Sequence, residues 1–335
     1  MYATYDNVAI RSISAVAPKR VLDNEAFSES VTDRRYRRLI KYTGIKKRHA
    51  VFGTNQRTSD LASIAAEKVL EKLQWDKESI NALIFVTQSP DMYAPSTAML
   101  IQTKVGLSQS LLAFDVNLGC SGFTSGVQIM AGLLSQTKGR GILVMGDAQE
   151  YAPGTEFNSD YILFGDGGAA VAMEYDEHAT SIPSFQMTDG ARFKALCATF
   201  NHGHIMDGNE IVLFSLNEVV NDINAFHEHY GINRDEVDYY ALHQAQKIIV
   251  DGVANNCKLP KDKVLEAYEM YGNTSSASIP FALCANTEKF DKKMLKIFGC
   301  GFGIGLAWSG ILFDVPADMI IPLIESDYTY PDLFK

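Results

Sequence analysis

The sequence predicts a layered α/β protein, and three observations predict it. Strand-like apolar runs recur along the chain, helix-compatible stretches separate them, and the two halves repeat one order of features. Regular alternation of strand and helix implies sheets covered by helices.

Four runs in the first half read as strands: ALIFVTQS (82–89), LLAFDVN (111–117), GILVMGDA (141–148) and AAVAMEY (169–175). The second half offers VDYYALH (237–243), VLEAYEMYG (264–272), MLKIFGCG (294–301) and LAWSGILFDV (306–315). Helix-compatible stretches include TSDLASIAAEKVLEKLQ (58–74) and LNEVVNDINAFHEHYG (216–231). In the first half a strand leads to Cys120, then a helix, then GILVMGDA. In the second, VLEAYEMYG leads to Asn273, then the helix-like SASIPFALCANTEKF, then MLKIFGCG. This parallel suggests an internal duplication. It divides the chain into 1–175 and 176–335, with the polar stretch YDEHATSIP at the boundary.

A chain of 335 residues that is 47% hydrophobic can bury a large core without disulfides or a metal. Its net charge of −10 argues against nucleic acid as a partner. The first twenty residues lack a basic segment followed by an apolar stretch, so no signal peptide is expected. No run approaches the length of a membrane span, so no membrane association is expected, and the predicted compartment is cytoplasmic. The five cysteines, Cys120, Cys197, Cys257, Cys284 and Cys300, are odd in number and form no C-x-x-C pair. That argues against a disulfide framework and a zinc knuckle. His202 and His204 lack neighbouring ligands, so no metal is expected.

Cys120 follows an extended run and precedes a small-residue helix. A helix N-terminus would set unpaired N–H groups beside the sulfur and favour thiolate. The bland alternative is a buried structural cysteine. His243 closes VDYYALH, at a strand's C-terminal end where α/β folds place ligands, although a turn histidine would look the same. Asn273 follows Gly272 and could merely cap the next helix, or donate its amide N–H to an anionic oxygen. GCGFGIGLAWSG (299–310) is no dinucleotide fingerprint, but it could bring a backbone N–H close to a reacting carbonyl. FGDGGAA (164–170) reads as a structural turn. Eight of the thirty Lys and Arg fall within 34–48, which is a solvated helix face or a docking patch for an anionic partner.

Together these motifs are specific. DVNLGCSGF, FGDGGAA, MDGNEIVLFSLNEV, ALHQAQKII, YGNTSSASIP and GFGIGLAW follow in the order and spacing of 3-oxoacyl-[acyl-carrier-protein] synthase III, and AVAPKRVLDNEAF and YTGIKKRH match that family's opening. The sequence resembles this family of the thiolase superfamily over residues 7–315. The resemblance implies a thiolase-like fold with a duplicated, five-layered α-β-α-β-α core, and a homodimer without cofactor or metal. It implies that Cys120 accepts an acyl group, and that His243 and Asn273 bind the thioester carbonyl of a malonyl donor during decarboxylation. The implied oxyanion hole uses the backbone N–H groups of Cys120 and Ile304. Ala94 and Phe302 fall at the acyl pocket and its gate, and Arg38, Gln246 and Lys247 at the contact with the carrier protein or pantetheine arm. The implied partners are acyl- and malonyl-carrier protein, with acyl-CoA as the other donor class.

The sequence also departs from the family. Arg38 and Asn158 stand where a Trp and an Arg clamp the adenine of CoA, Gln246 replaces an Asn, Ile248 an Arg, and Ile304 a glycine. The expected reaction is a decarboxylative Claisen condensation in a specialised acyl pathway. The alternative on the same fold is an acyltransferase forming an ester or amide, which would not need Asn273. A degradative thiolase would carry His at 273 and Cys at 301. A papain-like hydrolase would show C-G-S-C-W. A non-catalytic carrier-binding module would not need the Cys-His-Asn set.

Overall fold

The computed structural model describes residues 1–148, 160–199 and 203–331. Two large sheets form its frame. In chain order their strands are β1 (Tyr2–Tyr5), β2 (Val8–Pro18), β3 (Ile80–Val86), β4 (Leu112–Val116), β5 (Arg140–Asp147), β6 (Gly167–Tyr175), β7 (Ile182–Thr188), β8 (Tyr239–Leu242), β9 (Met294–Gly303), β10 (Ala307–Pro316) and β11 (Ile324–Ser326). The helices used below are α1 (Arg34–Thr43), α2 (Thr58–Leu73), α3 (Thr97–Val105), α4 (Gly122–Thr137), α5 (Gly208–Phe214), α6 (Val220–His229), α7 (Lys247–Asn256) and α8 (Ser278–Cys284).

The first sheet runs β11-β2-β6-β5-β3-β4 and the second β1-β7-β10-β9-β8. Within the first, β6 is antiparallel to both of its neighbours, β2 and β5, and β5 runs parallel to β3. Within the second, β7, β10 and β9 are antiparallel and β9 runs parallel to β8. The series β2-β6-β5-β3 and β7-β10-β9-β8 thus share order and direction, the duplication expected from the sequence. The strands nearest the chain ends cross over: β1 joins the second sheet and β11 the first.

Helices α4 and α8 fill the layer between the sheets, each touching strands of both. Their apolar faces meet in one cluster that includes Phe123, Val127, Met130, Ile279, Phe281 and Leu283 with Ile84, Leu143, Ile297 and Phe313. Burying one such Phe or Ile contributes about 1.5–3 kcal/mol, which is why β3, β5 and β9 read as nearly unbroken apolar runs. Helix α2 covers the outer face of the first sheet through Leu61, Ala65 and Val69. Helices α6 and α7 cover the second through Ile223, Phe226, Val250 and Val253. The result is the α-β-α-β-α sandwich of the thiolase-like fold.

One expected strand is absent. In VLEAYEMYG only Val264 makes a β-bridge, to Tyr240, and Tyr268–Tyr271 is one helical turn. The cause is Gln244, whose Oε1 accepts the N–H groups of Ala267 (2.7 Å) and Tyr268 (3.3 Å). Those donors are taken by a side chain, so the ladder stops. Conversely, β2 is an eleven-residue strand that its interspersed Ser and Arg residues conceal. Its buried Ser12 and Ser14 hydroxyls donate to the carbonyls of Met319 and Ala65, both at 2.7 Å.

Candidate active site

Cys120 sits in a tight turn between β4 and α4, where the N–H of Gly122 donates to the carbonyl of Gly119. The helix begins two residues later than the sulfur. The thiol is buried, and burial pushes it up to about 12. The N–H groups of Ile304 and of Cys120 itself hydrogen-bond the sulfur and oppose that rise, while the nearby carboxylate of Asp147 adds to it. Desolvation therefore outweighs the helix N-terminus, contrary to the thiolate-favouring environment expected from the sequence, and the resting group is a thiol.

His243 directly follows β8, and its N–H donates to the carbonyl of Cys300 (2.8 Å), continuing the pairing with β9. The ring is buried, and burial holds its pKa down to about 3, so it is neutral at physiological pH. Its Nδ1 lies 2.7 Å from Ser278 Oγ at the start of α8. The Phe302 and His243 rings meet in a T-shaped contact, 5.5 Å between centroids and 85° between planes. Such a contact adds about 0.5–1.5 kcal/mol and excludes water from the ring.

Asn273 is placed from both sides. Its N–H donates to Leu163 O (2.9 Å), and its carbonyl accepts from Gly165 N (3.0 Å). Gly272 before it has φ +67°, and a Cβ there would lie 2.8 Å from Leu163 O. Asn273 Oδ1 accepts from Ser275 N at 2.9 Å. That bond commits the side-chain oxygen and fixes which edge of the amide carries its N–H₂.

Cys120, His243 and Asn273 line one cavity of about 270 Å³ with Phe302, Gly303 and Gln246. Apolar side chains dominate its remaining wall: Leu39 of α1, Leu163, Phe164, Ile211 of α5 and Ile249 of α7. Leu196 and Met206, from a two-stranded ribbon of Leu196–Thr199 with Gly203–Met206, also line it. The cavity can hold a slender, mostly apolar chain whose reactive end meets a thiol and two neutral hydrogen-bonding side chains.

The other sequence-predicted residues are distributed around it. Arg38 is exposed on α1, beside the lining Leu39. Lys247 is exposed and pairs with Asp251 at 3.0 Å. Ala94 is exposed in the loop before α3 and is not among the residues lining this cavity. Asn158 and His202 lie outside the described residues. In the basic run, Arg48 is buried and donates to Asn24 Oδ1 (2.9 Å) and Phe164 O (3.0 Å), so it braces the cavity wall from behind. Arg34, Arg35, Arg37, Arg38 and Lys41 are exposed. Asp166 has the structural place expected of it, accepting from Val51 N at 2.8 Å.

The sequence assigned no role to Ser278 or Asp147, and pointed to Gly303 only as one glycine of the 299–310 loop. Asp147, at the end of β5, is a buried carboxylate. Its Oδ1 accepts from Gln88 N (2.7 Å), Ser89 N (3.2 Å), Thr87 Oγ1 (3.2 Å) and Ser89 Oγ (3.2 Å). Its Oδ2 accepts from Ser276 Oγ (3.1 Å). It thereby joins the loop after β3 to the turn that carries Asn273. The only sequence signal was its place at the end of an apolar run.

Comparison with known proteins agrees with this architecture. A family model described as 3-Oxoacyl-[acyl-carrier-protein (ACP)] synthase III matches residues 114–190, and its C-terminal counterpart matches 227–315. The β-ketoacyl-[acyl-carrier-protein] synthase III of Streptococcus equi subsp. zooepidemicus is 32% identical over 326 residues, covering 91% of this chain and 98% of that protein. The protein of the same name from Acholeplasma laidlawii is 32% identical over 311 residues, covering 92% and 98%. Among solved structures, a 3-oxoacyl-(acyl-carrier protein) synthase from Burkholderia xenovorans superposes with a TM-score of 0.91 at 28% identity, covering 97% of this chain and 99% of that one.

Proposed function

Because the chain belongs to the 3-oxoacyl-[acyl-carrier-protein] synthase III family, we propose that this acyltransferase catalyses a decarboxylative Claisen condensation, with Cys120 as acyl acceptor and His243 and Asn273 as the decarboxylation pair. One observation carries the reading: a buried thiol, a neutral imidazole and an oriented carboxamide line a single narrow apolar cavity.

In the first half-reaction the Cys120 sulfur forms a bond to the donor's acyl carbon and the donor's C–S bond breaks. The proton lost from the Cys120 thiol passes to the departing sulfur, so the half-reaction involves no net gain or loss of a proton. The N–H groups of Cys120 and Ile304 stabilise the oxygen of the tetrahedral intermediate. In the second half-reaction a malonyl thioester places its carbonyl oxygen against His243 and Asn273. Its carboxylate leaves as carbon dioxide, and the bonding electrons pass toward that oxygen, where two neutral donors stabilise the enolate. Its carbon then attacks the acyl-Cys120 carbonyl, the C–S bond to Cys120 breaks, and the sulfur departs as thiolate and takes a proton from solvent to return to the resting thiol.

The donor in this proposal is acyl- and malonyl-carrier protein, with acyl-CoA as the secondary class. The curated relatives carry acyl-carrier protein in their names. Arg38, Gln246 and Lys247 would meet the carrier or its arm, and Phe302 would gate the acyl end. A homodimer in the cytoplasm belongs to the same proposal. β4 is an edge strand, and near it Tyr93 is 97% exposed, Met99 45% and Leu112 52%, an apolar border suited to a second copy. All five cysteines are unpaired, in keeping with a reducing compartment.

Intact-mass detection of an acyl adduct and carbon dioxide release from malonyl-carrier protein test the reading together. Cys120→Ser should abolish the adduct. His243→Ala and Asn273→Ala should keep the adduct while carbon dioxide release falls on the order of 10²–10³-fold, as for loss of an oxyanion donor. Unchanged release in both would favour the ester- or amide-forming acyltransferase.

A further inference from the structure

We propose that Ser278 is a positioning residue that fixes His243 as the tautomer with its proton on Nε2, so that the ring serves as a neutral hydrogen-bond donor to the cavity. The inference rests on the condensing role proposed for His243.

The argument is one of hydrogen accounting. Ser278 Oγ and His243 Nδ1 lie 2.7 Å apart, and both residues are buried. A neutral imidazole has one N–H and one bare nitrogen. If Nδ1 carried the proton, it would donate to Ser278 Oγ, and the serine's own hydroxyl proton would need another acceptor. Among the described residues Ser278 Oγ has no hydrogen bond besides the one to His243. Leaving a buried O–H without an acceptor is costly. If the hydroxyl instead donates to Nδ1, both groups are satisfied and the ring proton resides on Nε2. The third possibility, a ring protonated on both nitrogens, is opposed by burial.

The consequence for chemistry is specific. With Nδ1 engaged by Ser278, Nε2 is the nitrogen left to the cavity that the ring lines. A protonated Nε2 can donate to a developing enolate oxygen but cannot take the proton of Cys120. The two half-reactions should therefore respond differently to Ser278, whose position five residues after Asn273 puts both site partners on one turn-and-helix segment. A partner that sets the proton of a histidine through its other nitrogen is a recurrent device.

The test combines a spectroscopic and a kinetic readout on the full chain. ¹⁵N-histidine labelling, with His243 signals assigned by their loss in His243→Ala, reports which nitrogen is protonated. The wild type should show a proton on Nε2. Ser278→Ala should populate the Nδ1-protonated form and lower carbon dioxide release roughly ten-fold or more, with Cys120 acylation kept within about two-fold. Ser278→Thr retains the hydroxyl and should restore the tautomer and most of the release. A wild-type ring protonated on Nδ1 would overturn the inference even if Ser278→Ala fails to fold. So would an unchanged tautomer in a folded Ser278→Ala. If His243→Ala loses carbon dioxide release and Ser278→Ala does not, only this inference fails. If His243→Ala loses neither half-reaction, the parent reading fails.

Discussion

Gly303 lies directly against Cys120: a Cβ at residue 303 would sit 2.8 Å from the Cys120 Cβ and 2.9 Å from its sulfur. Gly303 also has φ +155°, which L side chains rarely adopt. The two constraints act together, since the backbone that presents Ile304 N–H to the sulfur must pass where a side chain would collide with it. Gly303→Ala should therefore lower the rate of Cys120 acylation by at least about 10²-fold, through displacement of the sulfur or of an oxyanion donor. Intact-mass time courses with an acyl donor would measure this. Acylation within a few-fold of wild type would show that the turn can yield.

A second prediction follows from the environments of the thiol and the imidazole. Cys120 is pushed up to about 12 and His243 down to about 3, both mainly by burial. Between pH 6 and 9 the resting pair should thus be thiol and neutral imidazole, with neither group titrating. Alkylation of Cys120 by iodoacetamide should rise about ten-fold per pH unit from pH 7 to 10 without a plateau. Carbon dioxide release by the pre-acylated enzyme should be level between pH 8 and 5, because His243 gains a proton only well below that range. A plateau in alkylation near pH 8 would indicate a stabilised thiolate. An inflection of release near 6.5 would indicate a solvated ring.

How much of this was legible in the sequence depends on whether a feature is local. β3, β5 and β9 are buried on both faces, so each shows as an apolar run that composition alone detects. The turn at 268–271 could not be read that way, because Gln244, more than twenty residues away, terminates the pairing. Arg48 looked like part of a basic surface run, yet its partners, Asn24 and Phe164, are provided by distant segments. The Cys, His and Asn motifs were each visible, but Leu39, Ile211 and Ile249 meet around them only because α1, α5 and α7 converge. Ser278 was hidden for a related reason: a serine opening an apolar helix looks like a cap, and only the approach of β8 gives it His243 as a partner.

Asp147 supports a prediction about stability. Burial raises its pKa above the ordinary carboxylate value, so its charge is not the source of its benefit. Its oxygens are, because they accept the buried N–H groups of Gln88 and Ser89 and the hydroxyl of Ser276. Asp147→Ala would orphan these donors, at about 1–3 kcal/mol for each that finds no replacement, and should destabilise the fold by about 3 kcal/mol. Asp147→Asn keeps one acceptor oxygen, and Ser276 can rotate its hydroxyl toward the new amide, so about 1–2 kcal/mol is expected. Denaturant melts of both variants give the comparison. An Asn variant as unstable as the Ala variant would assign the stabilisation to the charge after all.

The last prediction concerns α1 and the choice of donor. Tyr36, Ile40 and Thr43 anchor the helix inward, and Leu39 lines the cavity. Arg34, Arg35, Arg37, Arg38 and Lys41 are exposed on the same helix. Arg35 is tied to Asp33 at 2.7 Å, and Arg37 donates to Val31 O at 2.8 Å. Arg34 and Arg38 are therefore the substitutions that disturb the helix least. If the donor is an acidic carrier protein, this surface should steer its approach, an effect that acts on association rate and fades once the Debye length falls well below about 10 Å. The double variant Arg34→Glu and Arg38→Glu should slow carrier-protein association about ten-fold at low salt. Wild-type and variant rates should converge at high salt, with the chemical step unchanged. Stopped-flow association at several ionic strengths, with acyl-CoA as the parallel donor, separates this steering from damage to the cavity. A carrier rate indifferent to salt and charge reversal would remove α1 from the docking surface, and an equal loss with both donors would point to damage at Leu39.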